Sequence, residues 1–253
     1  SKEKLYKNKS FKEFIPKFKI ISNLSNIINF IKKEKFPVIF KPRDDRGARD
    51  VYLIKNEKEL KNLMFLKKNT IIKKKFIIQK YIYGKQLSVE CLLINKSQYL
   101  KLISIRNYDS FKFLHPHIIE NGGTFDPKIS KILDGRINIL IKKIIKNFDL
   151  NKGPLKLDLI TNKNKIYLLE VALRFGGGYV ASRISQFLTG QNFLTSYIDI
   201  INCKNIKKNS IKNFKKSVVT RTIIAPKPGK LMKIKNENSK KLRKFLLFLE
   251  FNN

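Results

Sequence analysis

The sequence predicts a mixed α/β or α+β fold. Short β-branched runs alternate with longer stretches of helical periodicity, and no internal repeat interrupts that alternation. A chain of 253 residues can bury roughly 70% of its unfolded surface, enough for one large core or two modest ones and therefore for an enzyme.

The elements follow in order. "PKFKIISNLSNIINFIKKEKF" reads as an extended entry, a Ser/Asn cap around Ser22 and an amphipathic helix that ends before Pro37. "VIFKP" is a short strand stopped by Pro42, "RDDRGARD" a charged glycine-bearing turn, and Val51 to Ile54 the returning strand. Asn56 with Glu59 forms a capping-box pattern that opens a helix reaching Lys67. Then come "KFIIQKYI", a break at Gly84, and the strands "QLSVECLLI" and "YLKLISI", joined by a tight turn at Asn95 to Ser97. The stretch from Arg106 to Pro127 is irregular and reads as a loop over a site. Asp126 caps a long helix that runs to Phe148, with isoleucines at helical spacing. "GPLKLDLIT" and "KIYLLEV" are paired strands around the "NKNK" turn; a glycine run, two helical segments and the strand "VVTRTII" complete the pattern.

Composition limits the function classes. Lys+Arg 55 against Asp+Glu 19 gives a net charge of +36, which alone suggests a polyanion partner. The excess is nearly all lysine and is scattered through the sequence, with no arginine-rich stripe or aromatic-interleaved patch. Charge spread over all faces neutralises phosphates poorly, so nucleic acid is not the favoured partner. Cys91 and Cys203 lack CxxC spacing and no secretory leader is visible, which points to a reduced, cytoplasmic setting. Apolar runs are broken by lysine well before the ~20 residues a bilayer span needs. Ser1 at the start suggests a chain that begins inside a longer protein.

The candidate site begins with Asp158 and Glu170, 12 residues apart in the paired strands. A hairpin turning near Asn162 to Lys165 sets them opposite or nearly opposite, where same-face side chains lie ~5 Å apart. Two facing carboxylates on otherwise apolar strands need a proton or a cation between them. Magnesium, held by one or two carboxylates plus substrate phosphates, suits such a pair. A register slip of one residue would instead point them to opposite faces. Lys41 at a strand end supplies a fixed positive charge, and Gly47 in the following turn lets backbone N–H groups approach an anion. "FIIQKYIYGKQLSVE" is a crossover whose backbone, with Gln79, Lys80 and Gln86, can meet an adenine ring and a ribose. His115 and His117 in "LHPH" lack a third metal ligand and read as loop residues over the pocket or as plain surface.

Together, "FPVIFKP", "DRGARDV", "IIQKYIYGKQLSVE", "GPLKLDLI" and "LLEVALRFGGG", in that order, resemble the ATP-grasp superfamily, over Lys2 to Ile224. The branch most similar is that of the carboxylate–amine ligases, which includes the carbamoyl phosphate synthetase large subunit and the L-amino-acid ligases; "APKPGKLMKI" looks like its closing segment. The resemblance implies an α+β fold of two lobes with antiparallel sheets gripping the nucleotide between them. It divides the chain into an entry segment (1–35), a small lobe (36–82), a large lobe with the metal site (83–235) and a basic helical tail (236–253).

It also implies roles. Lys41 and Lys2 (or Lys4) would contact the nucleotide phosphates, and the turn holding Arg46, Gly47 and Arg49 would fold over them. Gln79, Lys80 and the backbone of Tyr81 and Ile82 would hold adenine, and Gln86 the ribose. Asp158 and Glu170 would hold magnesium, with manganese as its substitute. Arg174 and Lys41 would stabilise the transferring phosphoryl. Gln79 and Gln86 stand where acids are usual, Asp50 where the turn usually has a second glycine, and Ala172 where an asparagine often helps a second magnesium. The domain that normally precedes this fold is not in the sequence. The activity implied is ATP-dependent ligation, in which a small carboxylate, an amino acid among the options, is activated as an acyl phosphate and captured by an amine. A weakened ATP-binding module acting with a missing domain is the alternative, and a charge-driven nucleic-acid binder the third reading.

Overall fold

The computed structural model describes residues 2–44, 48–109, 114–163, 165–204, 216–222 and 224. The chain divides into two units, Ser1–Ile223 and Ile224–Asn253. Only residue 224 of the second is described, so the expected closing segment and the tail at 236–253 lie outside the described residues.

Two antiparallel sheets organise the first unit. The smaller has the order β1 (Phe18–Ile20), β4 (Ile77–Lys80), β2 (Val38–Lys41), β3 (Tyr52–Ile54). Helices α2 (Leu24–Glu34) and α3 (Glu57–Lys73) cover one face, where Ile27, Phe30, Leu63 and Ile71 pack on Val38, Phe40, Ile54 and Ile78. The two-residue period of a strand turns Ile39 and Lys41 to the opposite face. Gln79, paired with Ile39, joins them there. The extended entry expected from Pro16 supplies β1, and well ahead of it lies a short helix α1 (Lys2–Lys7), which the sequence did not suggest.

The larger sheet has the order β10 (Val218–Val219), β7 (Gly123–Phe125), β6 (Ser97–Arg106), β5 (Lys85–Ile94), β8 (Gly153–Asn162), β9 (Lys165–Ala172). The long helix α4 (Pro127–Asn147) covers one face: Leu133, Ile137, Leu140, Ile141 and Ile144 meet Leu87, Val89, Leu155, Leu157, Leu159 and Leu168. The N-terminal Leu5, Tyr6 and Phe11 join that core. The other face is apolar at one end only. There Leu92, Leu100, Leu102 and Phe125 pack under α5 (Ser185–Thr189) and α6 (Phe193–Ile201) through Leu188, Phe193 and Ile200. Its remaining end is polar, carrying Gln86, Ser88, Glu90, Arg106, Lys156 and Asp158 at alternate strand positions.

Caps follow the local chemistry. Asp126 accepts from the Lys128 N–H at 2.8 Å to open α4, with Pro127 in its first turn. Asn56 accepts from the Glu59 N–H at 3.0 Å, while Glu59 reaches back to the Lys55 N–H at 2.8 Å, one residue earlier than a strict capping box. The helix it opens runs to Lys73, six residues past the expected end at Lys67, because Ile71 reaches the small-sheet core and the chain turns only at Lys75, with φ of 48°. The α2 cap is Asn23, the asparagine of the Ser/Asn pair expected around Ser22. Within the expected loop, Gly123–Phe125 pairs with β6 and β10, too short a stretch to show a period. No helix among the described residues is long and apolar enough to cross a membrane.

Gly84 separates the two sheets. A Cβ there would sit 2.2 Å from the Thr161 carbonyl oxygen and 2.9 Å from Ile160 Cγ2, so the crossover lies against β8 at a distance only glycine allows. Gly84→Ala should destabilise the fold by about 1–3 kcal/mol. Gly135→Ala on the exposed face of α4, where nothing lies within 4 Å, should stabilise it by about 0.5–1 kcal/mol. Thermal midpoints moving in opposite directions check both.

Candidate active site

The register of β8 and β9 brings the acids together. Their tight turn pairs Asn162 with Lys165, and that register carried along the hairpin would set Asp158 opposite Leu169. It shifts by one between Asp158 and Leu159, leaving Leu169 as the extra residue, so that Asp158 pairs with Glu170. Packing accounts for the shift: Leu168 and Val171, three apart, both lie against the α4 side of the sheet, which an unbroken two-residue period forbids. The carbonyl of Leu169 is met by the Tyr6 hydroxyl at 3.3 Å.

Both carboxylates already face cations. Lys2 Nζ lies 3.2 Å from Glu170 Oε2. Arg106 Nη2 donates to Asp158 Oδ1 at 2.7 Å, and Lys156 donates to the same oxygen. Arg106 also bridges to Glu120 at 3.0 Å. Burial works against its charge, but Asp158 and then Glu120 outweigh that and raise its pKa, so the guanidinium stays charged. Among the described residues no group of three or more His, Cys, Asp or Glu is placed to hold a metal. Two same-face carboxylates fit magnesium, a hard cation that takes its remaining oxygen ligands from phosphate and water.

Lys41 ends β2 with its side chain turned to the same region and only 7% exposed. Its Nζ donates to Tyr6 Oη at 2.6 Å, and Tyr6 Oη donates in turn to Gln79 Oε1 at 2.8 Å. Burial pushes the ammonium down to about 7, and Lys2 adds to that; Glu170 and Asp158 pull it back. Burial, then the charge of Glu170, pushes the Tyr6 phenol up, so it remains a hydroxyl. Two residues beyond Lys41, Arg43 pairs with Glu3 of α1. Glu3 is held below the usual carboxylate range by Lys7 and then Arg43.

The other expected contacts are distributed unevenly. Gln79 is buried and engaged by Tyr6. The Lys80 ammonium turns to the end of α2, onto the carbonyls of Glu34 and, at 3.2 Å, Lys35. Tyr81 and Ile82 form the half-buried crossover, with the Tyr81 N–H on the Pro37 carbonyl at 3.3 Å. Gln86 accepts from the Tyr108 hydroxyl at 2.6 Å. Arg49 is exposed, and Arg46 and Gly47 lie outside the described residues. Arg174 is exposed, donating to its neighbour's carbonyl, that of Phe175, at 2.9 Å. His115 stands 3.2 Å from Glu59, and the His117 ring lies 5.2 Å from that of Tyr52, so the loop holding both packs on the small lobe.

Sequence reasoning missed four residues. Glu90, 2% exposed, accepts from the Gly176 N–H at 2.8 Å and pins the glycine run; a Cβ on Gly176 would lie 2.0 Å from Glu90 Oε1. Burial raises the pKa of Glu90, against the Gly176 N–H and Lys156. Glu90 and Lys156 were legible in principle, because strand alternation sets them on the face of Gln86 and Asp158. Arg106 ends β6 on that same face. Tyr6 had no such signal.

A family model described as the ATP-grasp domain matches residues 4–178. The chain belongs to the ATP-grasp family. Its fold is shared by phosphoribosylglycinamide synthetase from Anaerococcus prevotii, at 17% identity and a TM-score of 0.60, over 85% of this chain and 53% of that one. L-amino acid ligase from Bacillus licheniformis matches at 18% identity and TM-score 0.55, over 75% of this chain and 44% of that one. N5-carboxyaminoimidazole synthetase from Staphylococcus aureus, solved with ADP, matches at 18% and 0.64, over 85% and 55%. The chain thus spans about half the length of these ATP-grasp structures. A search of curated proteins finds no match.

The buried lysine generates a prediction with a sign. Lys41 titrates at about 7 when folded against 10.5 unfolded, so between those values the unfolded chain binds more protons and this group favours folding more as pH rises. Below about 7 the fold carries a charged, desolvated ammonium. Lys41→Met should therefore raise stability at neutral pH by on the order of 1–2 kcal/mol, while weakening the site's affinity for ATP by about tenfold or more. Thermal melts and nucleotide titration of the same variant check the opposed effects.

Proposed function

We propose that this chain is the nucleotide-binding portion of an ATP-dependent carboxylate–amine ligase. The reading rests on one observation above the others: two carboxylates paired in register on one face, with a buried lysine turned toward them from the other sheet. Membership of the ATP-grasp family supports it, as do neighbours whose names are those of ligases and synthetases. Asp158 and Glu170 would hold magnesium, or manganese, on the phosphates of ATP. Bound there, the metal neutralises charge as the γ-phosphoryl group transfers.

The residues of the chain do the rest. Lys41 and Lys2 present ammonium groups to the phosphates, and Arg174, exposed two residues beyond β9, would fork onto the transferring phosphoryl. The crossover at Tyr81 and Ile82 offers backbone groups to adenine, with Gln79 and Lys80 flanking it and Gln86 at the ribose. Arg46, Gly47 and Arg49 are assigned to the phosphates by their place in the motif, Arg46 and Gly47 lying outside the described residues. A substrate carboxylate oxygen attacks the γ-phosphorus as the bond to ADP breaks. An amine nitrogen then attacks the acyl carbon, loses a proton, and phosphate leaves. Positioning and charge neutralisation suffice, so no side-chain nucleophile is called for. Substrates are a small carboxylate and an amine, amino acids among them, and the setting is cytoplasmic, in keeping with two free cysteines. The lobes would divide between residues 82 and 83, the smaller taking in β1 and α2 from the expected entry segment, with a domain beyond this chain helping to hold the acceptor.

Because the chain spans half of its structural neighbours, a binding module without turnover is the second reading. The test is ADP release in the presence of Mg2+ and a panel of small carboxylates and amino acids, with any preceding domain supplied. Release should be stimulated by at least one of them, and Glu170→Gln should lower it by about a hundredfold or more. ATP binding with no stimulated release by any acceptor would leave the module reading in its place.

A further inference from the structure

We infer that this site takes a single divalent cation, because the ammonium of Lys156 stands where a second would have to sit. The inference deepens the nucleotide-binding reading and rests on it. Two-metal sites place their ions about 3.5–4 Å apart and share oxygen ligands between them. On the face that carries Asp158 and Glu170, the neighbouring cross-strand pair toward the glycine run is Lys156 and Ala172. Ala172 brings a methyl group and no ligand. Lys156, 8% exposed, brings a cation.

The position of that cation is tightly set. Its stem runs beneath the glycine run, with Cε 3.1 Å from where a Gly176 side chain would begin. Its ammonium is on Asp158 Oδ1, the oxygen that also accepts from Arg106 at 2.7 Å. A bridging carboxylate oxygen is what a second ion would need, and this one already faces two positive groups. The next acid along the face, Glu90, has Oε2 committed to the Gly176 N–H at 2.8 Å. No third acid, histidine or cysteine joins Asp158 and Glu170 in a metal-binding group among the described residues. Lys156 and Arg106 thus offset Asp158, and Lys2 faces Glu170 at 3.2 Å, so the pair with its bound phosphates has charge left for one metal ion. Lys156 is a positioning and charge-neutralising residue here, fixed in the protein where a two-metal site would use a dissociable ion.

Counting bound manganese tests this without reference to turnover. Mn2+ is titrated into the full chain with adenylyl imidodiphosphate saturating, and free Mn2+ is followed by electron paramagnetic resonance. The wild type should bind one Mn2+ per nucleotide-loaded chain, and Lys156→Gln with Ala172→Asn should bind two. Two ions in the wild type would overturn the inference while leaving the nucleotide reading intact. One ion in the folded double variant would overturn it too, since removing the ammonium would then have opened nothing. Absence of any nucleotide-dependent Mn2+ in the wild type would sink the nucleotide reading and this inference together. Should the double variant not fold, the wild-type count still decides.

Discussion

The site depends on one extra residue in one strand. Without the bulge at Leu169, the turn-set register would put Glu170 on the α4 side of the sheet, among Leu159, Leu168 and Ile166. A lone carboxylate there would face apolar side chains, a position that protonates it or breaks the packing. With the bulge, the same six or seven residues satisfy two demands. Leu168 and Val171 both stay in the core, and Glu170 comes round to meet Asp158. The core and the acid pair therefore share a cause, and neither can be altered alone.

Charge at the site is handled locally in a protein whose overall excess is +36. Most lysines are solvated and mean little individually. Those at the site differ in burial: Lys41 at 7% and Lys156 at 8% are held where water is scarce, and there Coulomb interactions are several-fold stronger than on the surface. Lys156 is matched at once by Asp158. Lys41 instead donates to a neutral hydroxyl, and its nearest negative charges act from a distance, which is why burial depresses it so far. Of the two, Lys41 is the one with unspent attraction for an incoming anion.

Strand alternation and capping were legible because they are local: the period of β8 separates Leu155, Leu157 and Leu159 from Lys156 and Asp158, and Asp126 before Pro127 announces α4. The pairing of Asp158 with Glu170 was legible only to within one residue, since spacing gives the turn and tertiary packing gives the bulge. Helix α1 was not legible at all. Six residues are too few to show an amphipathic period, and the contact that matters joins Tyr6 to Lys41, 35 positions on, and to Leu169, 163 positions on. Arg174 was named from its place in an ordered motif, and its exposed setting could not be read from a glycine run that follows no period.

Tyr6 carries the last step. Its hydroxyl accepts from Lys41, donates to Gln79 on the small sheet, and lies within 3.3 Å of the Leu169 carbonyl on the large one. One oxygen so placed fixes the lysine relative to the bulge, and hence relative to the acid pair that the bulge creates. The ring behind it is locked into the core with Leu5 and Phe11 and stacks edge-on to Phe18 at 4.9 Å. The lysine is thus desolvated and aimed by folding itself. An anion entering the site has little left to reorganise, and its interaction with Lys41 is correspondingly strong. The same packing that depresses the ammonium's charge leaves it responsive to any negative group brought beside it.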